Sequence, residues 1–258
     1  MTNSRGHFAW HELVTTDPHA AAAFYPHITP WTTQPMDDMP DYTLWMNGET
    51  PVGGVTKAPD QSASDGTVAQ WIPYVHVYDV DETVRSVKAM GGSVRTAPKQ
   101  VPSVGCWAVL TDPQGATIGI FEQAGNTPVA YKPANVGEFS WHELVTTDHK
   151  AAFEFYHKLF NWETTGYHDM GAMGTYHMFG QKGAAYGGMF NAPPDTPAPM
   201  WVSYTRVDDV KATAPRVTGA GGTVIVEPHE VPGGDWIVRC HDAQGATFAL
   251  QSSGTSRA

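Results

Sequence analysis

Trp10-His11-Glu12-Leu13-Val14-Thr15-Thr16-Asp17 returns without a change as Trp141-His142-Glu143-Leu144-Val145-Thr146-Thr147-Asp148. Identity on this scale inside one chain marks duplication, so the reading begins with a search for the limits of the repeat. At an offset of 131 residues, Phe24-Tyr25 answers Phe155-Tyr156 and Trp31 answers Trp162. The offset becomes 134 where Tyr42 meets Tyr176 and Gly53-Gly54 meets Gly187-Gly188. It settles at 130 where Trp71 and Tyr74 meet Trp201 and Tyr204, Gly91-Gly92 meets Gly221-Gly222, and Asp112 and Gln114-Gly115-Ala116-Thr117 meet Asp242 and Gln244-Gly245-Ala246-Thr247. Two modules are therefore expected, over residues 1–126 and 138–258, with a Gly/Pro/Asn-rich connector over 127–137. Each is of a size that can bury a core of its own.

Within each module the octamer reads as a strand, with Trp10, Glu12 and Val14 alternating against His11, Leu13 and Thr15. Thr16-Asp17-Pro18 then offers an N-cap and a proline suited to the first helical turn, followed by an Ala-rich helix. Pro26 ends or kinks that helix, whereas the second copy has His157 and can continue for about one more turn. Short strands follow at 42–47 and 50–57, where the Gly53-Gly54 pair suggests a bulge or a close backbone approach. A polar loop is expected over 58–69. The strand-helix pattern restarts at Trp71, its helix halts at Gly91-Gly92, and strands near 92–96, 107–110 and 116–122 close the module around a turn at Asp112. The second module repeats this order, with Pro215 expected to kink its later helix and residues 252–258 expected to fray.

Composition narrows the function. There are 26 acidic and 15 basic residues, a net charge of −11, and no basic cluster, which argues against nucleic acid as a partner. No apolar run is long enough to span a membrane and the first residues lack a signal-peptide core, so a cytoplasmic protein is expected. Cys106 and Cys240 lie in apolar strand-like runs and are expected to be reduced and buried. Nine Trp and ten Tyr exceed what a core of this size requires, so some rings should line a cavity.

The strand ending in Thr-Thr-Asp, the Ala-rich helix ending Phe-Tyr, the later Asp-Val-Asp helix start with its Gly-Gly stop, and the Asp-Pro-Gln-Gly-Ala turn together resemble the vicinal oxygen chelate superfamily. That group takes in glyoxalase I, bleomycin-resistance proteins, fosfomycin-resistance enzymes and extradiol dioxygenases. The chain is more narrowly similar to the tandem glyoxalase-like proteins of bacteria, the mycobacterial antigen group among them. The resemblance implies an α+β fold in which each module joins two βαβββ motifs into a curled eight-stranded sheet around a cleft. It also implies metal ligands on the first strands and near the last strands, at positions that fall here on Trp10, Ile72 and Gly119, and on Trp141, Val202 and Ala249. The strands at 51–56 and 185–190, where a fourth ligand would stand, contain no His, Glu, Asp or Cys. Since cation sites need imidazole, carboxylate or thiolate donors, no metal and no other cofactor is expected.

Glu12 and Glu143 share the face of Trp10 and Trp141, which the resemblance turns toward the cleft. A carboxyl desolvated against an indole has its pKa raised and can act as acid or base, while the structural alternative is a Glu paired with backbone or an Arg. By alternation His11 and His142 point away and should be packing residues. The first cleft is expected to contain Trp10, Glu12, Tyr42, Trp45, Trp71, Tyr74 and His76; the second Trp141, Glu143, Tyr176, Phe179, Trp201, Tyr204 and Arg206, although core packing explains any one of the rings as well. Arg206 in place of His76 would favour an anionic group in the second cleft. His149 and His157 on one helix, and His168 and His177 in an expected loop, do not have ligand spacing. Three functions remain open: acid/base isomerase or lyase chemistry on a small carbonyl or aromatic molecule, sequestration of such a molecule without turnover, and a divalent-metal reaction through other ligands. Either a monomer or a homodimer is compatible with the sequence.

Overall fold

The computed structural model describes residues 5–36, 39–59, 69–102, 104–126, 132–193, 196 and 198–254. Residues 60–68 of the expected loop, 127–131 of the connector and 255–258 of the tail lie outside these residues. The elements of the first repeat are β1 (Phe8–Thr15), α1 (Pro18–Phe24), β2 (Thr32–Met36), β3 (Met39–Asn47), β4 (Thr50–Lys57), β5 (Gln70–His76), α2 (Val80–Ala89), β6 (Ser93–Val101), β7 (Gly105–Thr111) and β8 (Thr117–Gln123). The second repeat gives β9 (Phe139–Thr146), α3 (His149–Phe160), β10 (Glu163–Asp169), β11 (Thr175–Gln181), β12 (Ala184–Asn191), β13 (Met200–Arg206), α4 (Val210–Gly219), β14 (Thr223–Glu230), β15 (Trp236–His241) and β16 (Thr247–Ser252). Strands β2 and β10 were not read from the sequence; Thr32–Met36 is mostly exposed and lacks an apolar alternation to reveal it.

Each repeat forms one eight-stranded sheet, ordered β2-β3-β4-β1-β5-β8-β7-β6 and β10-β11-β12-β9-β13-β16-β15-β14. The fold is α+β, with parallel pairs β1/β4, β5/β8, β9/β12 and β13/β16 among antiparallel hairpins. The helices start where the sequence says they should. Asp17, Asp79, Asp148 and Asp209 each sit in extended backbone and accept N–H bonds from the first helical turn. At Pro26 the first helix passes into a 3₁₀ turn after seven residues, whereas α3 runs for twelve and ends at Asn161 in the left-handed conformation, φ 58°. Helix α4 continues through Pro215.

Packing follows a different division from the sheets. One compact unit comprises Met1–Trp10, Ile72–Lys132 and His142–Trp201; the other comprises His11–Trp71, Pro133–Trp141 and Val202–Ala258. Each unit takes one βαβββ motif from each repeat, so the expectation that a module buries a core by itself is corrected. In the first unit, Val75, Leu110, Ile118 and Ile120 pack with Leu144, Tyr156, Trp162 and Trp201. In the second, Leu13, Tyr25, Trp31 and Trp71 pack with Val210, Val238, Phe248 and Leu250.

A buried polar triad holds each core together. In the first unit the Tyr156 hydroxyl donates to Asp112 Oδ2 at 2.9 Å and the Trp201 indole N–H donates to Tyr156 Oη at 3.1 Å. Asp112 Oδ1 accepts from the amides of Gln114, Gly115 and Ala116 at 3.0, 2.8 and 2.8 Å. The second unit repeats the arrangement, with Tyr25 on Asp242 at 3.0 Å and Trp71 on Tyr25 at 2.7 Å. Burial pushes both aspartates above the usual carboxylate range, opposed by the bonds they accept, and pushes both phenols well above theirs. The two aspartates thus do more than form turns. Each ties a tyrosine of one repeat to a turn of the other.

Candidate functional site

The glycine pair in β4 and β12 shows how the sheet surface is prepared. A Cβ on Gly53 would come within 2.5 Å of the His11 carbonyl oxygen, and one on Gly187 within 1.8 Å of that of His142. These positions permit the close backbone approach the sequence suggested. The second glycine of each pair is a seat for an aromatic ring: a Cβ on Gly54 would lie 2.3 Å from Tyr42, and one on Gly188 would lie 2.0 Å from Tyr176. On the other flank of each glycine, in direct register, stands the glutamate of the octamer, Glu12 opposite Gly54 and Glu143 opposite Gly188. Each tyrosine therefore reclines over bare backbone next to a carboxylate. In the first unit the contact is made: the Tyr176 hydroxyl donates to Glu143 Oε2 at 3.1 Å. Glu143 is 7 % exposed and Tyr176 is half-buried, which leaves the phenol edge within reach of a ligand.

Such a pair has a definite chemistry. The carboxylate accepts a proton, the phenol donates a hydrogen bond, and a carbonyl oxygen that captured the phenol would free the carboxylate for a neighbouring C–H.

Farther along the same sheets, Tyr74 lies over Gly119, where a Cβ would come within 2.3 Å of its ring. Tyr204 occupies the equivalent place opposite Ala249. One pair along, a row crosses four strands of the first unit: His76 opposite Phe121, Phe121 opposite Trp107, Trp107 opposite Lys99. The Trp107 and Tyr74 rings meet edge-on at 6.2 Å, and Lys99 Nζ stands 5.4 Å from the centre of the indole. In the second unit the same row reads Arg206, Gln251, Ile237 and His229. There the Arg206 guanidinium donates to the Ser253 hydroxyl.

Four of the expected cleft residues are core residues instead. Trp45 and Trp71 pack with Tyr25 and Trp31 in the second unit, and Phe179 and Trp201 pack with Tyr156 and Trp162 in the first. Strand alternation gives the reason. Trp71 and Tyr74 are three apart, as are Tyr42 and Trp45, so the two members of each pair fall on opposite faces. Trp10 and Trp141 are half-buried, while His76, Tyr74 and Tyr204 are buried. His11 and His142 are packing residues, stacked on Phe139 and Phe8 with centroids 3.6 and 3.5 Å apart. His142 Nδ1 meets the Tyr186 carbonyl at 3.2 Å, and burial pulls the imidazole down to about 3. The row through Phe121 and Trp107 escaped the sequence reading, though the turn at 112–115 marks the hairpin and both residues lie equally far from Gln114.

The superfamily's metal does not fit these residues. Trp10, Ile72, Gly119, Trp141, Val202 and Ala249 present indoles, aliphatic groups or bare backbone, and the Tyr74 ring covers Gly119. Among the described residues no three His, Cys, Asp or Glu side chains gather as a cation site. His168 and His177 lie on β10 and β11 and not in a loop. His177 Nε2 is 2.8 Å from the Thr164 hydroxyl and His149 Nδ1 is 2.9 Å from Asn191 Oδ1, so each ring has a partner of its own. Two surface depressions in the second unit, of about 260 and 300 Å³, are lined by Ile28, Asp208 and Arg216 and by Pro26, His27 and Gly219, none of them a predicted site residue. Among the described residues no helix is long and apolar enough to cross a membrane.

Comparison with known proteins supplies the family. Residues 138–250 match the model described as Glyoxalase/Bleomycin resistance protein/Dioxygenase superfamily, and residues 11–121 match a glyoxalase-like domain. The chain is 32 % identical over 248 residues to the protein of Mycobacterium bovis named "Putative glyoxylase CFP32", covering 93 % of this chain and 92 % of that one. It is 30 % identical over 274 residues to the anthracycline biosynthesis protein DauV of a Streptomyces species, covering 94 % and 91 %. Among solved structures, the Mn(II)-bound glyoxalase from Novosphingobium aromaticivorans superposes with a TM-score of 0.68 at 15 % identity, over 98 % of this chain and 84 % of that one. The 2,2',3-trihydroxybiphenyl 1,2-dioxygenase from Sphingomonas wittichii gives 0.68 at 9 % identity, over 99 % and 94 %. At these identities the structures share the fold.

Proposed function

Since the chain belongs to the glyoxalase/bleomycin resistance protein/dioxygenase superfamily, as a tandem glyoxalase-like member, we propose that it takes up a small carbonyl-bearing or aromatic molecule and moves protons on it through its own side chains, as an isomerase or lyase. The acting groups are Glu143 with Tyr176 and Glu12 with Tyr42, without a resident metal. The observation that carries this reading is the 3.1 Å bond from the Tyr176 hydroxyl to a largely buried Glu143 carboxylate. When the phenol turns to a substrate carbonyl, the carboxylate takes the proton from the adjacent carbon and the electron pair moves onto the oxygen that the phenol stabilises. Returning the proton to a different atom completes an isomerisation. Trp10, Tyr74 and His76 in the first unit, and Trp141, Tyr204 and Arg206 in the second, are the further candidates for ligand contact. The relative named for anthracycline biosynthesis is consistent with an aromatic substrate.

Proton abstraction is read directly by NMR, as exchange of the hydrogen next to the carbonyl into D₂O across a panel of 2-oxo acids, 2-oxo aldehydes and hydroxyaromatic ketones. Glu12→Gln combined with Glu143→Gln is expected to slow the responsive exchange by about 100-fold or more. Exchange that persists in Glu143→Gln and Glu12→Gln, or that disappears with a chelatable stoichiometric metal, overturns the proposal. Tight binding without exchange in the unaltered protein would establish the sequestering alternative.

A further inference from the structure

The two repeats diverge at one row of the sheet, and the divergence specifies a ligand. In the first unit, Phe121 and Trp107 are directly paired across β8 and β7, flanked by His76 on β5 and Lys99 on β6. This row lies on the face away from the core, because Ala108, Leu110, Ile118 and Ile120, which alternate with it, are the residues buried in the first core. Trp107 and Phe121 keep part of their surface open. The matching positions in the second unit are Gln251 and Ile237, so the paired rings belong to the first repeat alone. Core packing does not demand them, since the second sheet is built without them.

The chemistry of the row is that of a platform with a charged end. Four adjacent strands span about 14 Å between the outer pair at ordinary strand spacing, and the two central rings occupy the middle of it. A planar ligand of two fused rings covers both. At one end stands the Lys99 ammonium, already drawn to the indole face at 5.4 Å, in a protein whose net charge is −11. We infer that the Phe121/Trp107 row of the first repeat is a binding platform for planar aromatic acids, with Lys99 selecting the ligand's carboxylate. The inference rests on the reading of these sheet faces as ligand-binding and names the ligand class; it does not depend on the proton-transfer step.

Calorimetric titration of the full chain with 2-naphthoate and with its neutral counterpart, 2-naphthamide, tests it. Saturable binding of 2-naphthoate is expected. Trp107→Ile combined with Phe121→Gln, which installs the residues the second repeat carries, should weaken it by about tenfold or more. Lys99→Met alters an exposed side chain and should weaken 2-naphthoate by about threefold while leaving 2-naphthamide unchanged. The assignment is overturned if 2-naphthoate shows no saturable binding at millimolar concentration. It is equally overturned if the double variant, melting as a folded protein, binds as tightly as the parent, or if Lys99→Met weakens acid and amide alike. Because binding is read without turnover, exchange that persists when both Glu12→Gln and Glu143→Gln are combined would end the proton-transfer proposal and leave this result standing.

Discussion

Lowering the pH from 7 to 5 should destabilise the protein through His142, by an amount that follows from its surroundings. The imidazole is buried, stacked on Phe8 at 3.5 Å, and bonded to the Tyr186 carbonyl at 3.2 Å. Burial lowers its pKa from 6.5 to about 3, with the carbonyl bond opposing. The folded state therefore holds the ring neutral between those values while the unfolded chain takes up a proton. Folding stability is complete above the unfolded value and falls as the pH drops through 6.5 toward 3. Between pH 7 and 5 the unfolded ring goes from mostly neutral to nearly all charged, which is worth about 2 kcal/mol. Urea unfolding at both pH values, for the parent and for His142→Asn, isolates the effect. Asparagine keeps a donor near Nδ1 and does not titrate, so the variant's loss between pH 7 and 5 should be smaller than the parent's by about 2 kcal/mol. Losses that agree within about 0.5 kcal/mol would refute the argument, because the folded ring would then be taking up its proton as readily as the unfolded chain does.

Three further outcomes are expected. Tyr156→Phe leaves Asp112 Oδ2 without that donor and the Trp201 indole without that acceptor, costing about 1–3 kcal/mol in thermal or urea unfolding, and Tyr25→Phe should do the same to the second unit. Gly188→Ala puts a methyl group 2.0 Å from the Tyr176 ring, so the ring must leave the carboxylate; hydrogen exchange on the substrate should fall about as far as in Tyr176→Phe, while Gly219→Ala, with nothing near its Cβ and no left-handed backbone, leaves the exchange intact. Burial pushes the Cys240 thiol up to about 12, so a thiol-disulfide indicator at pH 8 should count at most one of the two cysteines in native protein and both after denaturation.

Much of the fold was legible because the information is local. A capping aspartate, a proline or a glycine stop writes each helix boundary into a few residues, and duplication lets each reading be checked against its copy. The faces were less legible. Glu143 and Tyr176 are 33 residues apart in sequence and meet beside Gly188 only through the register of three strands, yet the glycine pair did signal the close approach. Trp45 and Trp71 misled because a large ring satisfies a cavity wall and a core equally by type; only counting parity from Tyr42 and Tyr74 separates them. The pairing of the cores was beyond sequence reasoning. Tyr25 and Tyr156 are equivalent, and so are Asp112 and Asp242, so an exchange of partners leaves the same hydrogen bonds and the same composition.

That exchange bears on how the two repeats could diverge. Each core joins a first motif from one repeat to a second motif from the other, and the joint is the Tyr–Asp–Trp triad, identical in both units. A substitution in the triad disturbs a core that both repeats build, which restrains change there. The outward row is under no such restraint, since Phe121, Trp107 and Lys99 contribute nothing that Gln251, Ile237 and His229 fail to supply to the sheet. Glu12/Tyr42 and Glu143/Tyr176 are unchanged between repeats although neither pair belongs to the two apolar cores. A residue pair outside the apolar cores that matches in both copies, in a chain that also carries a row differing between them, is the distribution expected when the proton-handling group is shared and ligand selection is not.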